Sequence, residues 1–387
     1  MKMKLARRMD VIPFQQIRKI LEEATRREAQ GQKIIHLEIG RPDFDTPSNI
    51  KKAAILALSE GKVHYTSNYG IPELRNALSE KFKKDNGLVY DPSDEIIVTV
   101  GGTEGILLSM MALLDPGDEV LIPDPSFPCY AQCANMIEAV PVFVPLREEN
   151  AFEPAIEDYK KRITCKTKMI VINSPHNPTG AVFSKKTLTE ISQIAIENDL
   201  FVLSDEIYEK DIYDGYEHLS IAGLPGMRER TITLNGFSKS HSMTGWRLGY
   251  VASSRELIDG LIRIHQYATV CATSFAQHGA VEALNGSQES VEAMVKEFDR
   301  RRGMVVERLL EMPGISVFKP KGAFYVFINV EKLEMSSHEL GRYLLDEAAI
   351  AVVPWGDNHI RISYANSYEN LEKAMDKMEV ALRKLSV

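Results

Sequence analysis

Between about residue 95 and residue 250 the chain alternates short apolar runs with helical stretches, and this alternation limits the possible folds more than any other feature. The runs are EIIVTV, EVLIP, VPVFVP, KMIVIN, FVLSDE, TITLNG and LGYVAS. Each has the length of one strand and is apolar along nearly its whole course. Strands of that kind are buried on both faces, and helices between them serve as crossovers that keep neighbours parallel. The expected fold is α/β, a mostly parallel central sheet flanked by helices. From about residue 285 the pattern changes. A long charged helix, SQESVEAMVKEFDRRRGMVVERLLEM, leads into ISVFKP, AFYVFINV, IAVVP and HIRISYA, with helices among and after them, which predicts a smaller α+β part. Ahead of the alternation, DVIPFQQIRKILEEATRREAQGQ reads as an amphipathic helix and KIIHLEIG as a strand ending in glycine. A chain of 387 residues is long enough for two cores. The expected division is a large domain over 46–284 and a small domain made of 1–45 with 285–387.

Charge and cysteine usage exclude several classes of function. There are 46 basic and 54 acidic residues, for a net charge of -8, and no basic block of the kind that neutralises the phosphates of a duplex. A nucleic-acid partner is not expected. The four cysteines are too few and too scattered for a disulfide scaffold, and nothing completes Cys129 and Cys133 into a metal-ligand set, so a reducing cytoplasm fits and no metal site is expected. The N-terminal MKMKLARRMDVIPF carries charge but no apolar core of a signal peptide. The longest near-apolar run, GILLSMMALL, falls well short of the ~20 residues that cross a bilayer, so no membrane partner is expected.

In open α/β sheets ligands collect at the carboxyl ends of strands, so the residues there deserve the chemical reading. After EIIVTV comes GGTEG, where Gly101, Gly102 and Thr103 open a helix and offer free N–H groups and a hydroxyl; a phosphate cup and a plain helix cap both fit. After KMIVIN comes SPHNPTG, in which Pro175 and Pro178 stiffen a loop that presents Asn177, or forms a simple turn. After FVLS come Asp205, Glu206 and Tyr208. An acid at the end of a buried strand is costly without a cation or donor, unless it caps a helix. After EVLIP, DPSFPCY displays Phe127 and Tyr130, for which core packing is the default reading. After TITLNG comes FSKSHSMTGWRLGYV, with Lys239 and Arg247. A lysine alone reads as surface charge. A lysine in the company of an acid, an amide, a phenol, an aromatic lid and a phosphate cup describes a pyridoxal phosphate site.

The motifs GRPDFDTP, HYTSNYGIPELR, VTVGGTEGI, SPHNPTG, SDEIYE, SKSHSMTGWRLGY and HIRISYA occur in the order and approximate spacing of one family. Along nearly its whole length the chain resembles the fold-type-I, class I/II aminotransferases of the aspartate aminotransferase superfamily. The resemblance implies that 46–284 binds pyridoxal 5'-phosphate and that Lys239 holds it as a Schiff base. It implies Asp205 on the pyridine nitrogen, Tyr208 and Asn177 on the phenolic oxygen, Phe127 stacked on the ring, and Gly102, Thr103, Ser238 and Arg247 on the phosphate. It further implies Arg361 and Gly40 around the substrate carboxylate, with Asn177 beside them. Tyr65 is similar to the tyrosine that reaches the phosphate of a neighbouring subunit, which implies a homodimer with shared sites.

Three departures stand out. Gly236 replaces a phosphate-binding serine of many relatives, the loop WGDNHI before Arg361 is short, so that Trp355 either packs or shapes the substrate pocket, and Thr103 stands where some aspartate-specific relatives use lysine. The implied activity is transfer of an amino group from an aspartate, aromatic or neutral amino acid to a 2-oxo acid, with 2-oxoglutarate the expected acceptor. A carbon–sulfur β-lyase on the same scaffold is the alternative. A regulatory effector-binding protein is the reading from another class, although the chain lacks room before residue 30 for an added DNA-binding part.

Overall fold

The computed structural model describes residues 5–14 and 16–385. Residues 1–4 of the charged N-terminal stretch and Gln15 lie outside the described residues. A two-residue strand, β1 (Ile35–His36), precedes the main run of β2 (Ile96–Thr99), β3 (Glu119–Asp124), β4 (Val140–Pro145), β5 (Thr167–Asn173), β6 (Phe201–Asp205), β7 (Thr231–Gly236) and β8 (Gly249–Ala252). The latter seven form one sheet in the order β2-β8-β7-β6-β5-β3-β4. Every residue of β2, β6 from Val202 on, β7 and β8 is buried, as apolar strands covered on both faces require.

One strand departs from the parallel expectation. β8 runs antiparallel to both β2 and β7. Its connection from β7 holds only a short 3-10 turn, Thr244–Trp246, and no α-helix, so there is no helical crossover to bring the chain back to the starting edge. That tight return carries Lys239 and Arg247 past the carboxyl end of β7.

The second half builds β9 (Ser316–Val317), β10 (Tyr325–Asn329), β11 (Ile350–Ala351), β12 (Val353–Trp355) and β13 (His359–Ser363). β12, β13, β10 and β9 form an antiparallel sheet in that order. The run IAVVP, expected as one strand, divides at Val352: β11 pairs with β1 in a separate parallel ladder, and β12 joins the antiparallel sheet. KIIHLEIG is likewise a strand over two residues only, because its partner β11 offers two. The first helix spans Gln16–Ala29, starting beyond Pro13 rather than at Asp10, and a separate 3-10 turn covers Arg7–Asp10. Proline lacks an N–H to sustain a helix interior.

Two apolar cores flank the site. One, with Ile97, Leu121's neighbours Val120 and Ile122, Val171, Leu203 and Leu234, packs helices against the seven-stranded sheet. The other collects Phe298, Val305, Phe324, Val326, Ile360 and Met375 around the long helix Glu289–Leu310 and the antiparallel sheet, and it also takes in Leu37 from the N-terminal segment and Tyr208 from beyond β6. Residues next to the end of β6 are therefore anchored in the second core. Among the described residues, no helix is long and apolar enough to cross a membrane.

Candidate active site

Lys239 follows the end of β7 by three residues and is half-buried. Its Nζ donates to the Gly40 carbonyl at 2.7 Å and stands 5.8 Å from the centre of the Tyr208 ring and 5.9 Å from that of Phe324. One amine thus touches the return after β7, the loop after β1, the turn after β6 and the entry to β10. Burial, then the Arg361 charge, pushes Lys239 down to about 8. A lysine in that range holds an appreciable fraction of free amine near neutrality, which a surface lysine does not.

Asp205 ends β6 and is buried. No helix starts there, so the capping reading fails; Oδ1 instead accepts the Ile207 N–H at 3.2 Å within a turn. Oδ2 accepts the Tyr130 hydroxyl at 2.6 Å. Burial lifts Asp205 to about 6, against the lowering effect of the Tyr130 bond. The backbone around it is tied to the next loop by Asn173, whose Nδ2 donates to the Asp205 carbonyl at 3.0 Å and whose Oδ1 accepts the Asn177 N–H at 2.9 Å. Tyr208, three residues on, shares a hydrogen bond of 2.8 Å with the Tyr325 hydroxyl, and burial keeps its phenol protonated.

Arg361 lies mid-strand in β13, opposite Phe327 of β10 and Val353 of β12, and is 2% exposed. Its NH1 donates to Asn177 Oδ1 at 3.0 Å, its NH2 donates to the Glu38 carbonyl at 2.8 Å, and its Nε has no partner. The guanidinium stands 4.3 Å from the Tyr325 ring centre and 5.9 Å from that of Trp355. A buried guanidinium with unspent donors and no carboxylate is built to receive an anion. Gly40 lies beside it in the chain of contacts, and a Cβ there would run into the Tyr325 hydroxyl. Trp355 is half-buried, edge-on to Phe327, so it both packs and borders Arg361.

The glycine turn after β2 forms the opposite wall. Gly101 has φ 78° and leads into the helix Gly102–Leu113, whose first turn offers free N–H groups. A Cβ on Gly101 would strike the Arg247 guanidinium, and one on Gly249 would meet Gly101 C and Gly102 N, both at 2.6 Å. Arg247 itself sits at φ 53°, a left-handed conformation unusual outside glycine, and its guanidinium keeps one bond of 3.3 Å to the Thr244 carbonyl. The result is a cationic cradle open to solvent. Thr103 is exposed and Ser238 half-buried, and neither side chain has a hydrogen-bond partner among the described residues. Gly236 belongs to the strand instead: a Cβ there would lie 3.0 Å from the Leu248 carbonyl oxygen and 3.1 Å from Gly249 Cα. Phe127 is half-buried and edge-on to Tyr130 at 5.8 Å. Tyr65 stands apart from all of these, 85% exposed.

Tyr325 and Phe324 extend the set beyond the residues singled out by sequence, and Tyr130, read by default as core packing, meets Asp205 through its hydroxyl. Tyr130 had a visible signal, since it follows a strand end, but an aromatic ring gives no hint of which acid its hydroxyl will meet. Tyr325 lies inside an apolar strand and had none. Behind Asp205, Glu206 accepts from the Ser204 hydroxyl (2.8 Å), the Ser220 hydroxyl (2.7 Å) and His218 Nε2 (2.9 Å), while Lys81 pairs with Glu209. Burial alone would lower His218, but Glu206 raises it on balance. This compensated ion-pair group braces the turn that carries Asp205 and Tyr208.

A lysine and a buried acid at the strand ends of one sheet, with a buried arginine from the middle of β13 in the other, define the class. The description "Aminotransferase class I and II" matches residues 32–378. The chain is 47% identical to an aspartate aminotransferase of Pyrococcus abyssi over 98% of its length and 99% of that protein. It is 45% identical to aromatic-amino-acid aminotransferase 2 of Thermococcus litoralis, again over 98% and 99%. The solved aspartate aminotransferase of Rhizobium meliloti superposes with a TM-score of 0.95 at 35% identity, covering 99% of each chain. The chain belongs to the class I and II aminotransferase family, and it is an aminotransferase of fold type I.

Proposed function

We propose that this enzyme uses pyridoxal 5'-phosphate to move the amino group of an aspartate, aromatic or neutral amino acid to a 2-oxo acid, with 2-oxoglutarate as acceptor. The observation that carries the reading is the Lys239 amine, bonded to the Gly40 carbonyl and set over the Tyr208 and Phe324 rings of the second core, where burial pushes it down to about 8. The residues present fit the cofactor. Asp205 is a buried carboxylate met by a phenol and one backbone N–H but by no cation, which suits a protonated ring nitrogen. The turn at Gly101 and Gly102 with Arg247 suits a phosphate, and a side chain at Gly101 would run into the Arg247 guanidinium. Lys239 would hold the group covalently; Asp205, Tyr208, Asn177 and Phe127 would hold its ring; Gly102, Thr103, Ser238 and Arg247 would hold its phosphate. When bound, pyridoxal phosphate supplies an electron sink for charge developing at the substrate α-carbon.

The protein's own residues supply the rest. Arg361 would grip the α-carboxylate with its unspent Nε–H, and Gly40, having no Cβ, lets the Tyr325 hydroxyl stand close by, so the α-carbon is presented in one orientation. Lys239 Nζ, unprotonated in an appreciable fraction near neutrality, would take the proton from that carbon and later give it back. Asp205 would keep the ring-nitrogen proton in place. Trp355 borders the pocket beyond Arg361 and offers a flat apolar wall to a donor side chain.

We further propose a large cofactor-binding unit over 46–284 and a small unit of 1–45 with 285–387, supported by the pairing of β1 with β11. Tyr65, exposed beside Val63 with Ile55 and Leu56 on the preceding helix, supports a homodimer in which it completes the partner's phosphate site. A cytoplasmic setting agrees with the free cysteines. The function is tested by mixing the loaded enzyme with single amino acids and following the cofactor spectrum. Conversion reversed by 2-oxoglutarate is expected; release of pyruvate and ammonia from cystathionine, without such reversal, marks a β-lyase.

A further inference from the structure

Asp211 is a carboxylate that the fold buries without a partner. The residue is 0% exposed, and neither Oδ1 nor Oδ2 makes a hydrogen bond. Its backbone is pinned: the N–H donates to the Tyr208 carbonyl at 2.8 Å and the C=O accepts the Ala323 N–H at 2.8 Å, next to a bridge between Ile212 and Gly322. These are the two segments whose rings, Tyr208 and Phe324, stand under the Lys239 amine. The groups that act electrostatically on Asp211 are the Lys239 amine and the phenols of Tyr213, Tyr325 and Tyr364. Arg302 lies behind Tyr213, 4.6 Å from its ring centre, but is already paired with Asp214 and Asp299. Lys239 in turn faces Arg361 and Arg247, which repel its charge, and Asp205 and Asp211, which favour it.

We propose that Asp211 is a positioning residue for the reaction, the buried counter-charge that sets the pH at which the Lys239 amine gains and releases its proton. This rests on the reading of Lys239 as the reacting amine. An unpaired ionised acid in an apolar interior is costly, and the cost is relieved by keeping the proton or by a cation that shares the same poorly screened space. Burial lifts Asp211 to about 7, with the Lys239 charge acting against it, so both groups change state near the working range. When Nζ takes the α-carbon proton, a new positive charge forms in a cleft that already holds two arginines. Asp211 balances it without touching the substrate, as Asp205 is committed to the ring nitrogen.

The test measures Lys239 itself. Full-length wild-type protein, stripped of cofactor, and its Asp211→Asn and Asp211→Leu variants are labelled with limiting acetic anhydride from about pH 6 to about pH 10, spanning the lysine transition. Modification of Lys239 is quantified by peptide mass analysis, with circular dichroism confirming the fold. Both neutral variants should show a midpoint lower by about one unit, about a tenfold gain in free amine at fixed pH, and Asp211→Glu should restore it. If Asn introduces an unpaired amide that prevents folding, Leu, which leaves no polar atom, carries the measurement. A midpoint that stays at the wild-type value in a folded neutral variant overturns the proposal. Trapping of the cofactor on Lys239 in the wild type is independent of Asp211: failure there removes the catalytic reading, whereas successful trapping with an unmoved midpoint removes only the role of Asp211.

Discussion

A carboxylate at the end of a buried strand has to be justified by what it meets, and Asp205 meets a phenol, a backbone N–H and an open cleft. If its charge holds a proton on a ring nitrogen, Asp205→Asn should keep the cofactor but slow α-proton removal by about a hundredfold or more, as loss of a preorganised charge does. Asp205→Glu should lose far less, and stopped-flow half-reactions compare the two; equal rates would refute the role. At this scale the sequence was informative where chemistry and position coincided. Lys239, Asp205, Asn177 and Arg247 follow strand ends, where an apolar run stops at a polar residue for a reason. Arg361 was legible through its motif alone, for a charge in the middle of β13 is an anomaly that only its contacts with Asn177 and Glu38 explain. Asp211 was invisible: in SDEIYEKDIYDG it reads as one more acid of a polar turn, and its burial is decided by the packing of 320–325 over it.

At the scale of elements, the decisive contact is β8 against the turn after β2. Gly249 pairs with Thr99 and Gly236, and any Cβ on it would meet the backbone of Gly101 and Gly102, which cannot swing aside as a flexible side chain would. Gly249→Ala should therefore push the glycine turn away from Arg247. The expected result is a lower melting temperature together with cofactor binding weakened by about tenfold or more, read by equilibrium dialysis, a change of at least ~1.4 kcal/mol. Unchanged affinity would show that this turn does not build the cradle. The seven strands were legible from apolar runs, but the direction of β8 was not. An apolar run looks the same in either direction, and only the absence of a helix between residues 237 and 248 carried the information. The short pairs β1 and β11 were read too long because apolar residues flanking a ladder need a partner to become strand.

Over the whole molecule, Ile207, Tyr208 and Tyr213 belong to the second core, so the acids set among them bear on overall stability. The folded chain keeps the Asp211 proton up to about 7, whereas the unfolded chain releases it near the ordinary carboxylate value of ~3.9. Between those values the native state binds more protons, so Asp211 makes stability fall as pH rises. Relative to the wild type, Asp211→Leu should thus gain melting temperature from about pH 4 to about pH 7 and level off above it in cofactor-free protein. A constant offset by calorimetry would mean that the acid is not held protonated by burial. Assembly gives a second test at this scale. Lys239→Ala and Tyr65→Ala chains, unfolded and reassembled together, place both lesions in one site of the hybrid dimer and none in the other, so activity should recover to about a quarter of wild type. The Tyr65→Ala parent is assayed first at limiting cofactor, and with a weak parent and hybrids verified by mass, no recovery would place Tyr65 outside the partner's site.

The most direct test of the central claim is chemical. The loaded wild-type enzyme is reduced with borohydride, digested and mapped by mass spectrometry. The account predicts the pyridoxyl group on Lys239, the lysine whose amine meets Gly40, Tyr208 and Phe324. Recovery of that group on any other lysine would contradict it.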